Sequence, residues 1–360
     1  MKKRSWFILG IVLLVLLGGV WYTKYHQEES ALLNTQRTKT QQLKIIEAYP
    51  AVFQALTKQK DEKEKMYPIP GLFTGESINL KTGKKETCHD LTPQGIAVSG
   101  TEIYISEYCH LHEHHSVVQV LDRATKDWVQ TIIVPGKPHL GGLVYRAKEQ
   151  QLWLATETKK HASLSLLLKE TMTAYDANLS LRPIKYDTVI PVGDIPKASL
   201  LAYLDPFLVV GYFSNHQQGK LGLFPFAPNG DLISVVSKTQ NLNDLGSVDN
   251  LQTEDTEKIL KKIQGITYWK NYMLMSQSFG SHNSKLYVFD LQDTVGGFSP
   301  ASAKLILDFP PYLEQITADG DDLFAMFESG AKAYRSHTNK NVEYALQLDI
   351  KTLLQSLIAK

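Results

Sequence analysis

A duplicated segment sets the strongest limit on what this chain can fold into. Residues 94–122 read QGIAVSGTEIYISEYCHLHEHHSVVQVLD, and residues 264–290 read QGITYWKNYMLMSQSFGSHNSKLYVFD. Each has Gln-Gly before a short apolar run, a polar turn, a second apolar run, a loop containing His-x-Ser, and a third run that ends in Asp. Copying of this kind means that one supersecondary unit recurs, and a unit that cannot bury its own faces must stack on its copies. A unit of three to four short strands, repeated along a chain of 360 residues that is 43% hydrophobic, predicts an all-β fold, a β-propeller.

Aligned on that pattern, five units follow one another. The first opens at Gln94, with Val117 to Leu121 and Trp128 to Val134 as its outer strands. The second opens at Gly141 and closes through Met172 to Asp176 and Tyr186 to Pro191. The third opens at Ser199, with Lys220 to Phe226 and Leu232 to Val236 as its last two strands, and the fourth is the Gln264 copy, ending with Lys304 to Asp308. The fifth opens at Glu314, ends with Val342 to Leu348, and lacks a fourth strand, while Gly71 to Leu80 is left over ahead of the first. A ring closed by that N-terminal segment uses both facts and leaves no bare sheet edge. Five blades are therefore expected, with six as the alternative count. Short helices are expected over Asp249 to Lys262 and Leu353 to Ile358.

The N-terminus has a different grammar. Lys2, Lys3 and Arg4 precede an uncharged run from Ser5 to Thr23 with Trp6, Trp21 and Tyr22 near its ends. About twenty apolar residues cross a bilayer, aromatic rings favour its borders, and the basic cluster holds the N-terminus in the cytoplasm. No clear small-x-small cleavage site follows, so residues 1–23 are expected to be an uncleaved transmembrane signal-anchor that leaves the rest extracytoplasmic. Residues 24–66 show apolar positions at three- or four-residue intervals, interrupted near Pro50, and are expected as a helical stalk or linker, with a strip that could also lie along the propeller. Residues 67–360 form the ectodomain. The 38 basic and 37 acidic residues of the full chain balance, which argues against nucleic acid as a partner.

Recurrent Gly-Ile or Gly-Leu openings followed by strands such as Leu152-Trp153-Leu154 resemble the extracytoplasmic YVTN-type β-propellers, and Pro310 to Tyr334 resembles uncharacterised secreted bacterial propeller proteins. The resemblance implies the fold. Function has to come from the sites, because propellers host unrelated activities.

Three groups of residues are candidates. In a propeller the loops between second and third strands share a face with the loops leading into each blade, which gathers every histidine except His26 on one side of the disc. Within the densest group, His110, His112 and His114 alternate along an extended segment and could hold a divalent transition metal, although copied polar loops also tolerate histidine freely. Cys88 and Cys109 are the only cysteines; outside the cell they are expected to form a disulfide, with Cys109 as a metal ligand the alternative. Third, Gln94, Gly141, Ser199, Gln264 and Glu314, with Gln315 adjacent and His139 nearby, fall at the starts of the innermost strands and would ring the channel mouth. Glu107, Glu157, Gln277 and Glu328 lie toward the ends of second strands.

These features predict a membrane-tethered binding or scaffold module for an envelope protein, a peptide or a small ligand. The alternative is an extracytoplasmic enzyme, a hydrolase or a relative of the five-bladed glutaminyl-peptide cyclotransferases, using carboxylates at the mouth. QGITYWKNYMLMSQSFG resembles the opening of that family, but Met275-Ser276-Gln277 stands where the family carries an acidic residue.

Overall fold

The computed structural model describes residues 37–58, 62–157, 162–192, 197–232, 257–293 and 297–358. The Ser5–Thr23 run, His26 and His161 lie outside them. Among the described residues no helix is long and apolar enough to cross a membrane.

Two short helices open the described chain. Helix α1 (Lys39–Ile46) starts at Thr38, whose hydroxyl accepts from the Gln41 amide at 3.2 Å while the Gln41 side chain accepts from the Thr38 amide at 2.9 Å. This reciprocal cap satisfies donors that the first turn leaves orphaned. Helix α2 (Pro50–Thr57) has its proline in the first turn, where no amide is needed. Leu43, Ile46, Val52 and Leu56 are buried in one core with Phe309, Phe327 and Leu348 of the propeller. The Gln42 amide fixes the docking, donating to the Asn341 carbonyl and accepting from the Glu343 amide, both at 2.9 Å. From Thr38 onward, the stretch expected as a stalk therefore lies along the propeller, because its apolar strip gains more from burial than from solvent.

Strand β1 (Met66–Pro68) follows, then a hairpin of β2 (Gly75–Ile78) and β3 (Lys85–Cys88). Blade one contains β4 (Leu91–Val98), β5 (Glu102–Cys109), β6 (Val117–Asp122) and β7 (Trp128–Ile133). Blade two contains β8 (Leu143–Arg146), β9 (Gln151–Glu157), β10 (Ala162–Leu168) and β11 (Thr188–Val192). Blade three is β12 (Leu200–Leu204), β13 (Phe207–Tyr212), β14 (Gly219–Pro225) and β15 (Glu257–Ile259). Blade four is β16 (Ile263–Trp269), β17 (Tyr272–Gln277), β18 (Ser284–Asp290) and β19 (Leu305–Phe309). Blade five takes β20 (Leu313–Asp319), β21 (Asp322–Phe327), β22 (Tyr344–Asp349) and, as its outermost strand, β1. The innermost strands β4, β8, β12, β16 and β20 contact one another in a closed cycle, which makes the five four-stranded sheets a propeller.

Three expected strands move. Ring closure uses Met66–Pro68, paired with Tyr344 to Leu346, and not Gly71 to Leu80. The buried side chains of Met66 and Tyr67 suit the slot, whereas Gly75–Ile78 pairs with Lys85–Cys88. In blade two the third strand is Ala162–Leu168, and Met172 belongs to a helix, Lys169–Ala174. ASLSLLL is buried on both faces, which erases the alternation that marks a half-exposed strand. Blade three closes with Glu257–Ile259, inside the stretch expected as helix, while Leu232 makes only an isolated bridge to Phe226.

The repeated Gln-Gly now has a physical meaning. In blades one, four and five the register of the innermost pair slips at the same place, between Pro93 and Ile96, Ile263 and Gly265, and Leu313 and Ile316. Gln94, Gln264 and Glu314 occupy these bulges, a device that re-aims side chains. The following glycines permit close approach of blades, since a Cβ on Gly265 would lie 2.7 Å from Gln315 Cα. Serines on the second strands join neighbouring blades: Ser106 Oγ donates to the Leu140 carbonyl and Ser276 Oγ to the Glu314 carbonyl, each at 2.7 Å. Blade five has Gln315 where blades one and four have glycine. Its Oε1 accepts from the amides of Ile96 at 3.0 Å and Leu143 at 2.9 Å, and its Nε2 donates to the carbonyls of Leu143 at 2.6 Å and Leu201 at 3.4 Å.

Register counted from the bulges also explains a carboxylate that does not reach the mouth. Glu107 lies opposite Pro93, whereas the residue opposite Leu313 is Phe327, so Glu107 and Glu328 are one position out of register and face opposite sides. Glu107 is fully buried beneath Gly71, held by Gln119 Nε2 at 3.0 Å, and burial pushes its carboxyl up to about 8.

Two outcomes are expected. Between its ordinary value near 4.5 and about 8 the folded chain keeps the Glu107 proton that the unfolded chain has lost, so this group lowers stability as pH rises through that window. Glu107→Gln should therefore stabilise the protein at pH 8 by on the order of 2–4 kcal/mol and change little at pH 4.5, measured by urea unfolding. Gln315→Leu strands backbone groups on three blades and should cost at least about 3 kcal/mol in the same assay.

Candidate functional site at the channel mouth

The innermost-strand starts converge. Gln94, Gly141, Ser199, Gln264 and Glu314 line one cavity of about 470 Å³, together with His139, Glu328, Tyr312, Tyr334, Ser278, Phe279, Phe213 and Lys197. That volume suits a small ligand. A larger cleft, about 650 Å³, lies on the flank of the disc between β7 and the helices of blade two. Its lysines are already paired, Lys85 with Glu76 and Lys169 with Glu102, and its remaining acid, Asp176, is exposed and caps a helix.

Two buried carboxyls form the polar centre of the mouth. Glu314 and Glu328 are neighbours at the mouth, and each bears on the ionisation of the other. Burial, and then the Glu328 charge, raise Glu314 well above the usual carboxylate range; burial raises Glu328 to about 7 against the pull of its bonds to Gln94 and Glu314. The two glutamines of the repeat steady the pair. Gln94 Nε2 donates to Glu328 Oε2 at 2.8 Å, and Gln264 Nε2 donates to Glu314 Oε1 at 3.1 Å. Gln315, next along β20, points into the axis instead, its amide engaged by backbone groups.

Aromatic rings make the wall. Tyr108 stacks on His139 with centroids 4.4 Å apart, and Tyr334 lies 5.1 Å from Tyr312. Burial, reinforced by Lys197, His112 and His110, holds His139 down to about 3, so it stays neutral. Lys262 sits over Phe279 at 4.1 Å, and Lys197 also lines the cavity.

The three histidines expected as a metal set part company. His112 takes a left-handed backbone conformation, φ 56°, which breaks the extended alternation. His110 Nδ1 lies 3.2 Å from the Tyr108 hydroxyl and His112 stacks at 6.0 Å on the same ring, while His114 turns into the interior toward Cys109. Cys88 and Cys109 are buried thiols, unbonded in this structure. Glu157 is exposed, and Gln277 is engaged by the Lys261 carbonyl and the Tyr287 hydroxyl.

Sequence reasoning did not single out Tyr334, Tyr312, Phe279 or Lys197. Tyr334 comes from a short helix, Lys332–Arg335, inside the second-to-third connection of blade five, which has no counterpart in the copied segment. Glu328 carried a usable signal. It is the residue after the strand that pairs with the Glu314 bulge, and counting from the bulge rather than from the strand end places it at the mouth.

No family model matches the sequence, and no curated protein matches it. Among solved structures it is similar to a nidogen/laminin complex chain at 11% identity and TM-score 0.36, covering 70% of this chain and 84% of that one. It is similar to Kuenenia stuttgartiensis hydrazine synthase at 9% identity and TM-score 0.37, covering 77% and 80%. A functionally unknown protein from Desulfotomaculum acetoxidans gives 9% identity, TM-score 0.36 and coverage of 73% and 72%. Likenesses this distant carry no inference about ligand or reaction, and the propeller assignment rests on the sheet order.

Proposed function

We propose that this chain is a membrane-anchored, extracytoplasmic propeller of the YVTN kind that binds a small amine-bearing ligand, such as the free end of a peptide, in its channel mouth. The observation that carries the reading is the buried Glu314–Glu328 pair beneath an aromatic wall. A carboxyl pair that loses the first of its two protons near neutral pH gives a negative centre in a low-dielectric pocket, and Tyr and Phe faces add cation–π attraction for an ammonium group. Lys197 stands where a ligand carbonyl or carboxylate would reach it. The Ser5–Thr23 run with its basic flank supports the anchor and the outward placement.

The pairing of two such acids also favours a second reading, an enzyme. Two neighbouring buried carboxyls, one held well above the usual range and the other at about 7, match a dyad that trades one proton. Peptide hydrolysis is the reaction class that such a dyad would serve.

The test is calorimetry of the full chain in detergent against short peptides with free and acetylated amino termini. Free-amine peptides should bind, acetylation should cost tenfold or more, and Glu328→Gln should cost about as much. Affinity should rise as pH increases through about 7, because Glu328 then ionises. Equal affinity for the acetylated peptides sinks the binding reading, and release of cleaved product selects the enzyme. A C-terminal tag that resists protease added to intact cells, and is cut only after lysis, would overturn the outward placement.

A further inference from the structure

The strongest feature not used by the mouth lies beneath the rim of blade one. Cys88 at the end of β3, Cys109 at the end of β5 and His114 in the loop after it bring two sulfurs and a ring nitrogen within 4.8 Å of one another. Cys88 and Cys109 are each 1% exposed and His114 7%. Among the described residues this is the one group of three or more His, Cys, Asp or Glu side chains with that spacing.

The imidazole is oriented for ligation. Nδ1 faces Cys109 Sγ at 3.5 Å, and Nε2, on the other side of the ring, lies 3.9 Å from Glu86 Oε2. Among the described residues Nε2 has no hydrogen-bond partner, and this buried nitrogen faces a carboxylate that it does not reach. A histidine that ligates a metal through one nitrogen usually gives its other N–H to a carboxylate, which fixes the tautomer and leaves the ligating lone pair free. Asn79 Nδ2 and Thr82 Oγ1 donate to the two oxygens of Glu86 at 3.1 and 2.9 Å and set its position.

The surrounding backbone is stitched across two parts of the chain. Asn79 bridges His114, the His115 amide donates to the Ile78 carbonyl at 2.9 Å, and the His110 amide donates to the Asp90 carbonyl at 2.8 Å. The ligand atoms are therefore held by the β2–β3 hairpin on one side and by the blade-one loop on the other. A shift of under about 1 Å would bring them to the separations of a tetrahedral or trigonal thiolate site, where metal–sulfur bonds are about 2.3 Å.

We propose that Cys88, Cys109 and His114 bind one thiophilic d10 ion, Zn(II) or Cu(I), which clamps the β2–β3 hairpin to the loop that carries His110 and His112. Two thiolates and an imidazole select these ions over hard cations. With Zn(II) a water completes the tetrahedron, and Cu(I) is satisfied by three ligands. Binding displaces the two thiol protons, so no oxidant is involved. The site is separate from the Glu314–Glu328 pair, and neither reading depends on the other.

The test uses the reduced full chain in detergent, titrated under argon with Co(II) as a spectroscopic stand-in for Zn(II), and separately with Zn(II) and Cu(I). One equivalent should bind, with a thiolate-to-cobalt charge-transfer band. Cys88→Ser and Cys109→Ser should abolish that band and His114→Ala should weaken binding at least tenfold. Glu86→Gln, which leaves the ligands intact, should weaken it about tenfold, and His110→Ala and His112→Ala should leave it unchanged. The metal that raises the unfolding temperature at the lower concentration identifies the ion. If the folded, reduced parent binds none of the three metals better than Cys88→Ser, the proposal fails. It also fails if protein isolated from its membrane without added oxidant carries a Cys88–Cys109 disulfide by mass spectrometry.

Discussion

All five blades meet at one residue. The Gln315 side chain, carried by blade five, bonds to backbone groups of blades one, two and three, and its Cα packs against Gly265 of blade four. A propeller is held mainly by apolar packing between sheets, which is strong but not directional. An amide at the axis adds direction, because its donor and acceptor are spent only when neighbouring strands arrive in the right register. Buried amides cannot be left unpaired without loss, so the peg penalises misaligned blades as well as rewarding aligned ones. The glycines opposite it are the complement of the same device, since they make the space it fills.

The mouth depends on this axis. Gln94, Gln264 and Glu314 sit in equivalent bulges, and two amides and one acid at equivalent places can converge only because the ring is closed. Their neighbours complete an arrangement in which a buried acid pair is steadied by amides on adjacent blades. Desolvation keeps one proton in that pair, whereas the same two residues in water would both be ionised.

Much of this was legible beforehand because it rests on periodicity and copying. The repeated Gln-Gly and the alternating runs define five units, and the innermost-strand starts follow from alignment alone. Side-chain direction near a bulge was not legible. Counted from equivalent bulges, Glu107 and Glu328 stand one position apart on their strands, and that one step separates Glu107, interred beneath Gly71, from Glu328 at the mouth. Strands buried on both faces, such as Ala162–Leu168, lose the alternation that identifies them. His114 illustrates a further limit: three histidines at alternate positions share a side only while the chain stays extended, and the left-handed turn at His112 ends that condition.

The closing strand has a consequence for how the protein is made. Tyr67 bonds to Gln347 across 280 residues, and Met66–Pro68 supplies the outer edge of the blade completed last. The segment that seals the ring leaves the ribosome ahead of every other strand of the five blades and must wait, unpaired, until nearly the whole polypeptide has emerged. Contacts this distant in sequence are slow to form, so the open ring is a long-lived state during biosynthesis. A tether at the same end of the chain would keep the waiting strand near the growing domain and shorten its search.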